Sequence, residues 1–139
     1  MQLIGSFFRL ADIRMNKISK SEMIVLEYYL FCHICNTLKE FFRSQYKNYF
    51  YLIKFGKSME DVMLDTNFIR LVVNDILSTE EYTLAGIAYD THTPKEVIYE
   101  ISAGINTDPS LSVSRKIIQT HQFVRPGFYR DIFNKAIKE

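Results

Sequence analysis

The chain of 139 residues contains only two cysteines, three histidines and five glycines, and each shortage removes a class of function. Two cysteines build no disulfide framework and suit a reducing compartment, so a cytoplasmic location is expected. Cys32 and Cys35 have CxxC spacing, but tetrahedral zinc needs four ligands, and His92 and His121 lie far off on other elements. Neither a metal nor a cofactor is expected. The same two thiols sit more than two turns inside an apolar helix, away from the helix N-terminus that would lower a thiol pKa. They read as buried packing residues. No glycine-rich loop cradles phosphate, the histidines read as turn or helix-end residues, and no Ser, His and Asp arrangement appears, so an enzyme is not expected.

Long hydrophobic runs are also missing. The stretch from Met23 to Cys35 is interrupted by Glu27 and His33 and falls short of the roughly twenty apolar residues that span a bilayer, so no membrane partner is expected. Nothing is repeated or of low complexity. Residues 1 to 14, MQLIGSFFRLADIR, are apolar but lack the initial basic region and small-residue cleavage site of a targeting segment. Met15 reads as an alternative start, which would make the first fourteen residues an extension of the reading frame.

What is present is a chain that is 47% hydrophobic, enough for one good core or a domain with an accessory helix. Its charges are divided. Residues 1–57 hold nine Lys or Arg against four acids, while residues 58–139 hold eight against twelve. Such asymmetry fits a basic element that touches nucleic acid, or two surfaces that attract one another within a dimer. Lys54-Phe55-Gly56-Lys57 is the plausible linker, giving an expected division into 1–57 and 58–139.

The second half has a regular order of caps, breakers and apolar positions. Ser58 with Asp61 can cap a helix carrying Leu64, Phe68, Leu71, Val72 and Ile76. Thr83 can cap a short helix through Leu84, Ala85, Ile87 and Ala88, closed by a turn at Asp90-Thr91-His92. Thr93-Pro94-Lys95-Glu96 combines a capping Thr, a Pro suited to the first helical position and a Glu three residues on, predicting a helix from Pro94 to Ala103 that stops at Gly104. Its Val97, Ile98 and Ile101 share one face, and Lys95, Glu96, Tyr99 and Glu100 point outward. Asp108-Pro109-Ser110 repeats the cap-then-proline start, with Leu111, Val113, Ile117 and Ile118 as the buried side. A last helix opens at Pro126 and buries Phe128, Tyr129, Ile132, Phe133 and Ile137. Five helices are expected.

Over residues 60 to 137, and most closely from 84 to 111, this pattern resembles the helix-turn-helix of the XRE family of Cro and phage-repressor proteins. Ala88, Ile98, Ile101, Gly104 and Pro109-Ser110-Leu111 sit at that family's spacing. The resemblance implies a transcriptional regulator, commonly a repressor, that binds double-stranded DNA as a dimer. By position it implies that Lys95, Glu96 and Glu100 face bases with Tyr99 beside them, and that Thr83, Thr93, Asn106, Thr107 and Ser110 lie near phosphate. The departure is charge: Ile105, Asn106, Thr107 and Asp108 stand where family members often place Lys or Arg.

In the first half, Ser19 and Glu22 form a capping box. Ile24, Tyr28, Phe31, Cys35, Leu38, Phe42, Gln45, Tyr49 and Leu52 then alternate steps of four and three, the spacing of a heptad seam. A continuous helix from Glu22 to Ile53 would be roughly 48 Å long. Val25, Tyr29, Cys32, Ile34, Phe41, Tyr46 and Phe50 widen its apolar surface, which predicts a homodimer through Ile24, Tyr28, Phe31, Cys35, Leu38, Phe42, Tyr49 and Leu52. A helix folded back on its own domain, or broken near Gln45-Tyr46-Lys47-Asn48, is the other reading.

The expected architecture is therefore all-α: a five-helix Cro/repressor-like helix-turn-helix domain preceded by a long amphipathic helix. The rival expectation is a module of the same fold that binds another protein and no DNA. A basic rim around Lys95 from Lys17, Lys20, Lys39, Arg43 or Lys47 favours DNA, and an acidic one favours the rival.

Overall fold

The computed structural model describes residues 19–138, with side chains as far as Lys135. The expectations for residues 1 to 14, Met15, Lys17 and the side chain of Ile137 lie outside the described residues. Those residues form eight helices and no strand. In chain order they are α1 (Lys20–Gln45), α2 (Lys47–Leu52), α3 (Lys57–Thr66), α4 (Phe68–Ser78), α5 (Leu84–Thr91), α6 (Lys95–Ser102), α7 (Leu111–Val124) and α8 (Pro126–Lys138). Two compact units are present, one reaching to Leu38 and resuming at Arg125, the other running from Lys39 to Val124. This division differs from a cut at Lys57: the end of α1 belongs with the second unit, and α8 with the first.

In the first unit, the Ser19 hydroxyl accepts from the Glu22 N–H at 3.2 Å and donates to its carboxylate at 2.9 Å, which fixes the start of α1. Leu30, Ile34 and Leu38 are fully buried at i, i+4 spacing, and α8 buries Tyr129 together with Ile132 and Phe133, three and four residues further on. Tyr129 and Phe133 have ring centroids 6.4 Å apart.

The second unit is built on four helices. α4 packs on α6 and α7, and α5 packs on the same two. Val72, Val73, Ile76, Ile87, Ile98, Ile101, Ile117 and Ile118 have no exposed surface, each contributing about 1.5 to 3 kcal/mol by burial. Two polar contacts tie α7 to its neighbours. His121 Nε2 lies 2.6 Å from Asp75 Oδ2 of α4, both side chains buried, and the Thr120 hydroxyl donates to Asp90 of α5 at 2.6 Å. Buried polar atoms require such partners.

Several expectations are corrected. α1 stops at Gln45, where Tyr46 leaves helical geometry (φ −100°, ψ 13°), so the continuous helix to Ile53 does not form. Its 26 residues span roughly 39 Å at 1.5 Å each. The dimer seam fails with it. Leu38 and Phe42 are buried within the chain, Phe31 and Cys35 are half-buried, and Tyr49 and Leu52 belong to α2, while Ile24 and Tyr28 are exposed. The buried stripe of α1 runs through Glu27, Leu30, Ile34, Leu38 and Phe42, close to the 3.6-residue period of a straight helix packed on a core rather than the 3.5 of a supercoil. Phe42 meets Phe68 edge-on at 6.4 Å, which shows where one of those seam residues is used.

Ser58 does not cap α3, which begins one residue earlier behind Gly56 with no side-chain cap bond. Asp61 is drawn instead into ion pairs with Lys39 and Arg43. The helix expected to follow Ser58 and carry Leu64 through Ile76 is broken at Asn67, whose side chain donates to the Met63 carbonyl at 3.0 Å, so residues 57–138 hold one helix more than the five expected. α7 is capped by Ser110, which accepts from the Val113 N–H at 3.1 Å, and Leu111 is exposed rather than buried. Val97, Val113 and Phe128 are half-buried, and both cysteines are half-buried rather than buried. Of the three histidines, His33 departs from the expected turn or helix-end position by lying inside α1, whereas His92 closes α5 and His121, although buried, is in the last turn of α7.

Candidate nucleic-acid interface

The pair α5–α6 is fixed at every end. The Thr83 side chain accepts from the Gly86 N–H at 3.0 Å and caps α5. α5 closes at His92 in the left-handed conformation (φ 51°), with the Thr93 N–H bonded to the Ala88 carbonyl at 3.0 Å, a six-to-one closure of the helix end. Pro94 then serves as the N-cap of α6, its carbonyl accepting from the Val97 N–H at 3.0 Å. Thr93 does not cap: its hydroxyl donates to the Thr91 carbonyl at 3.1 Å and the residue is buried, which removes it from the residues expected to reach phosphate.

α6 exposes Lys95, Glu96, Tyr99 and Glu100, as its periodicity predicts, while Ile98 and Ile101 are fully buried beneath them. Lys95 has no carboxylate within ion-pair distance among the described residues. Glu96 and Glu100 repel one another mildly at i, i+4. Tyr89 of α5, 84% exposed, and Ile105 beyond α6, 66% exposed, add apolar surface on either side in sequence.

The segment after α6 is equally ordered. Gly104 takes φ +78°, and the Ile105 and Asn106 N–H groups both return to the Glu100 carbonyl at 2.8 and 3.0 Å. Asn106 Oδ1 accepts from the Asp108 N–H at 3.0 Å, so its carbonyl side is used while its amide nitrogen remains available to an acceptor. Thr83, Thr107 and Ser110 are at the surface, with the oxygens of Thr83 and Ser110 engaged in capping.

Arg70 is a residue that sequence reasoning missed here. Its Nε donates to the Ser102 carbonyl at 3.1 Å, setting a cation at the C-terminus of α6, where the helix dipole favours it. A Cβ at Gly104 would stand 2.9 Å from Arg70 Nη1, so a side chain there would collide as well as strain the backbone.

Of the five cations named for a basic rim, Lys17 is outside the described residues and two are already paired. Lys39 Nζ lies 2.9 Å from Asp65 and 3.7 Å from Asp61, and Arg43 binds Glu60 at 2.7 Å, Glu40 at 3.3 Å and Asp61. The hydrogen bonds Arg43 donates to Asp61, then to Glu60, raise its pKa further, and Arg43 in turn holds the Asp61 carboxyl below its ordinary range. The signal was legible: Lys39 and Arg43 repeat at i, i+4, and so do Asp61 and Asp65.

Among the described residues no cluster of His, Cys, Asp and Glu could hold a metal ion, and no helix is long and apolar enough to cross a membrane. The CxxC pair offers little chemistry. Burial and the neighbouring Cys32 push the Cys35 thiol up to about 12. Comparison with protein-family models, with curated proteins and with solved structures found no match.

Proposed function

We propose that the chain is a DNA-binding transcriptional regulator of the Cro and phage-repressor kind, acting as a homodimer and repressing by occluding a promoter. The observation that carries this reading is α6 itself, a short helix held at both ends and pinned by Ile98 and Ile101, whose whole outer face is chemically free. Lys95 suits guanine O6 and N7, and Glu96 or Glu100 suits the cytosine amino group. Thr83, Asn106, Thr107 and Ser110 supply neutral donors for phosphate. The dimer contact is assigned to the apolar outer side of α1 at Ile24, Val25, Tyr28 and Tyr29, which are all exposed.

The second reading, a protein-interaction module of the same fold, has its own support. Lys39 and Arg43 are neutralised by acids of α3, and Tyr89, Tyr99 and Ile105 flank two carboxylates, a composition nearer to protein interfaces than to a polyanion site.

One experiment separates them: capture of sheared genomic DNA from the source organism on purified protein at about 150 mM salt, then affinity for the enriched fragment against scrambled DNA. An inverted repeat with half-sites about one helical turn apart, bound on the order of 10³-fold tighter than scrambled DNA, is expected. Lys95→Ala then weakens specific binding by about 1 to 3 kcal/mol. No enrichment, and only non-specific affinity at lower salt, supports the interaction module instead.

A further inference from the structure

The helix breaks at Tyr46 and Asn67 have nearly the same backbone geometry (φ −100°, ψ 13° and φ −107°, ψ 14°), and both side chains line one depression of about 280 Å³ in the Lys39–Val124 unit. Its other lining groups include a phenol from Tyr49, an amide from Asn74, the guanidinium of Arg70 and the apolar side chain of Leu71. Breaking the helices creates the space, since a straight continuation of either would carry these side chains elsewhere.

Arg70 is the one charged residue in that lining. Unlike Arg43, which meets three carboxylates, it is held by neutral groups: Nε donates to the Ser102 carbonyl at 3.1 Å and Nη1 approaches Asn67 Oδ1 at 3.5 Å. A guanidinium carries five N–H donors in a planar fork matched to a carboxylate, so most of its capacity is uncommitted. The volume is at the lower end for small-molecule sites.

We propose that this depression binds a small organic carboxylate with a flat apolar body. The anionic end pairs with Arg70, the two amides donate to the same group, and the body lies against the tyrosine rings and Leu71. A single guanidinium among neutral groups suits a single negative charge, and the ring surfaces suit an apolar body. Because Arg70 also holds the Ser102 carbonyl and stands over Gly104, occupancy is felt at the end of α6. The site does not depend on the chain binding DNA.

Benzoate is the probe, benzamide its neutral counterpart, and backbone amide NMR of the full chain the measurement. Saturable shifts are expected at Tyr46, Asn67, Arg70 and Asn74, with a dissociation constant on the order of 1 mM and an accompanying response at Ser102 and Gly104. Benzamide binds at least about tenfold more weakly. Asn74→Asp, which sets a carboxylate one turn from Arg70 and spares the fold, lowers benzoate affinity by about tenfold or more. Non-saturable shifts, shifts centred on other residues, equal binding of benzamide, or an unaltered affinity in N74D each overturn the proposal. None of those results bears on genomic DNA capture.

Discussion

The outer faces of α6 and α1 both stand open to solvent among the described residues, and they are built in opposite ways. The outer face of α6 is short and polar, carried on a helix whose underside, Ile98 and Ile101, is fully buried. The outer face of α1 is apolar over Ile24, Val25, Tyr28 and Tyr29, four large side chains within six residues. A pinned polar face can present donors and acceptors at fixed positions, which is what reading a base edge or a polar partner requires. A contiguous apolar face has no such chemistry and gains free energy by being covered. On the proposed reading, specificity and association fall to separate helices, so damage to one need not reach the other.

The largest effect should come from what holds α6 in place. Asp75→Ala leaves His121 in the core without its 2.6 Å partner, and the loss of one member of a buried pair costs about 3 to 5 kcal/mol. Denaturant unfolding should show that decrease, and a loss under about 1 kcal/mol would mean the pair is not part of the folding core.

The comparison is broken most directly by paired truncations. Ile98→Ala removes a fully buried side chain and should cost about 2 to 5 kcal/mol. Ile24→Ala removes one that is 68% exposed and should change monomer stability by less than about 0.5 kcal/mol while weakening self-association in sedimentation. Equal costs at both sites would mean that the α1 face is already covered in the monomer.

Legibility followed the same line. The outward set of α6 and its stop before Gly104 were legible because both depend on signals within three or four residues: apolar spacing and a residue that tolerates φ +78°. The register of α1 was not, because steps of three and four fit two overlapping stripes, and the packing of Leu30, Ile34 and Phe42 selects between them. Neither break carries a proline or glycine to announce it: the one near Gln45-Tyr46-Lys47-Asn48 was legible only as the alternative reading, which the structure bears out, and the one at Asn67 was not legible at all. Arg70 at the Ser102 carbonyl joins residues 32 apart in sequence, and His121 with Asp75 joins residues 46 apart; neither pair leaves a local trace.

Caps give a smaller and sharper test within the α5–α7 region. Thr83→Ala and Ser110→Ala each remove an oxygen that accepts from a helix N-terminal N–H at 3.0 and 3.1 Å, so each should lower stability by about 1 kcal/mol. Ser58→Ala should change it by only a few tenths of a kcal/mol, because no side-chain bond caps α3. A full cap-sized loss at Ser58 would return that residue to the role its sequence position suggested.

Near neutral pH the smallest effects on stability are those of titration, and they have opposite signs at Asp61 of α3 and Cys35 of α1. Arg43 lowers the folded-state pKa of Asp61, so that carboxylate favours the fold above its ordinary range and ceases to do so as pH falls through its lowered value. The Cys35 thiol in α1 is moved the other way, from 9.0 to about 12, first by burial and then by Cys32. Its protonated form is the one the fold accommodates, so the contribution is complete below pH 9.0 and is lost as pH rises toward about 12. At pH 8 the folded chain therefore holds far less thiolate at Cys35 than the unfolded chain, and thiolate is the reactive species. Iodoacetamide should alkylate Cys35 more slowly in the folded than in the urea-unfolded protein, by on the order of 10²-fold or more, with the rate still rising with pH beyond 9.0. Equal rates in the two states would mean that this part of α1 opens readily to solvent, and the buried stripe through Ile34 and Leu38 would then be the feature to re-examine.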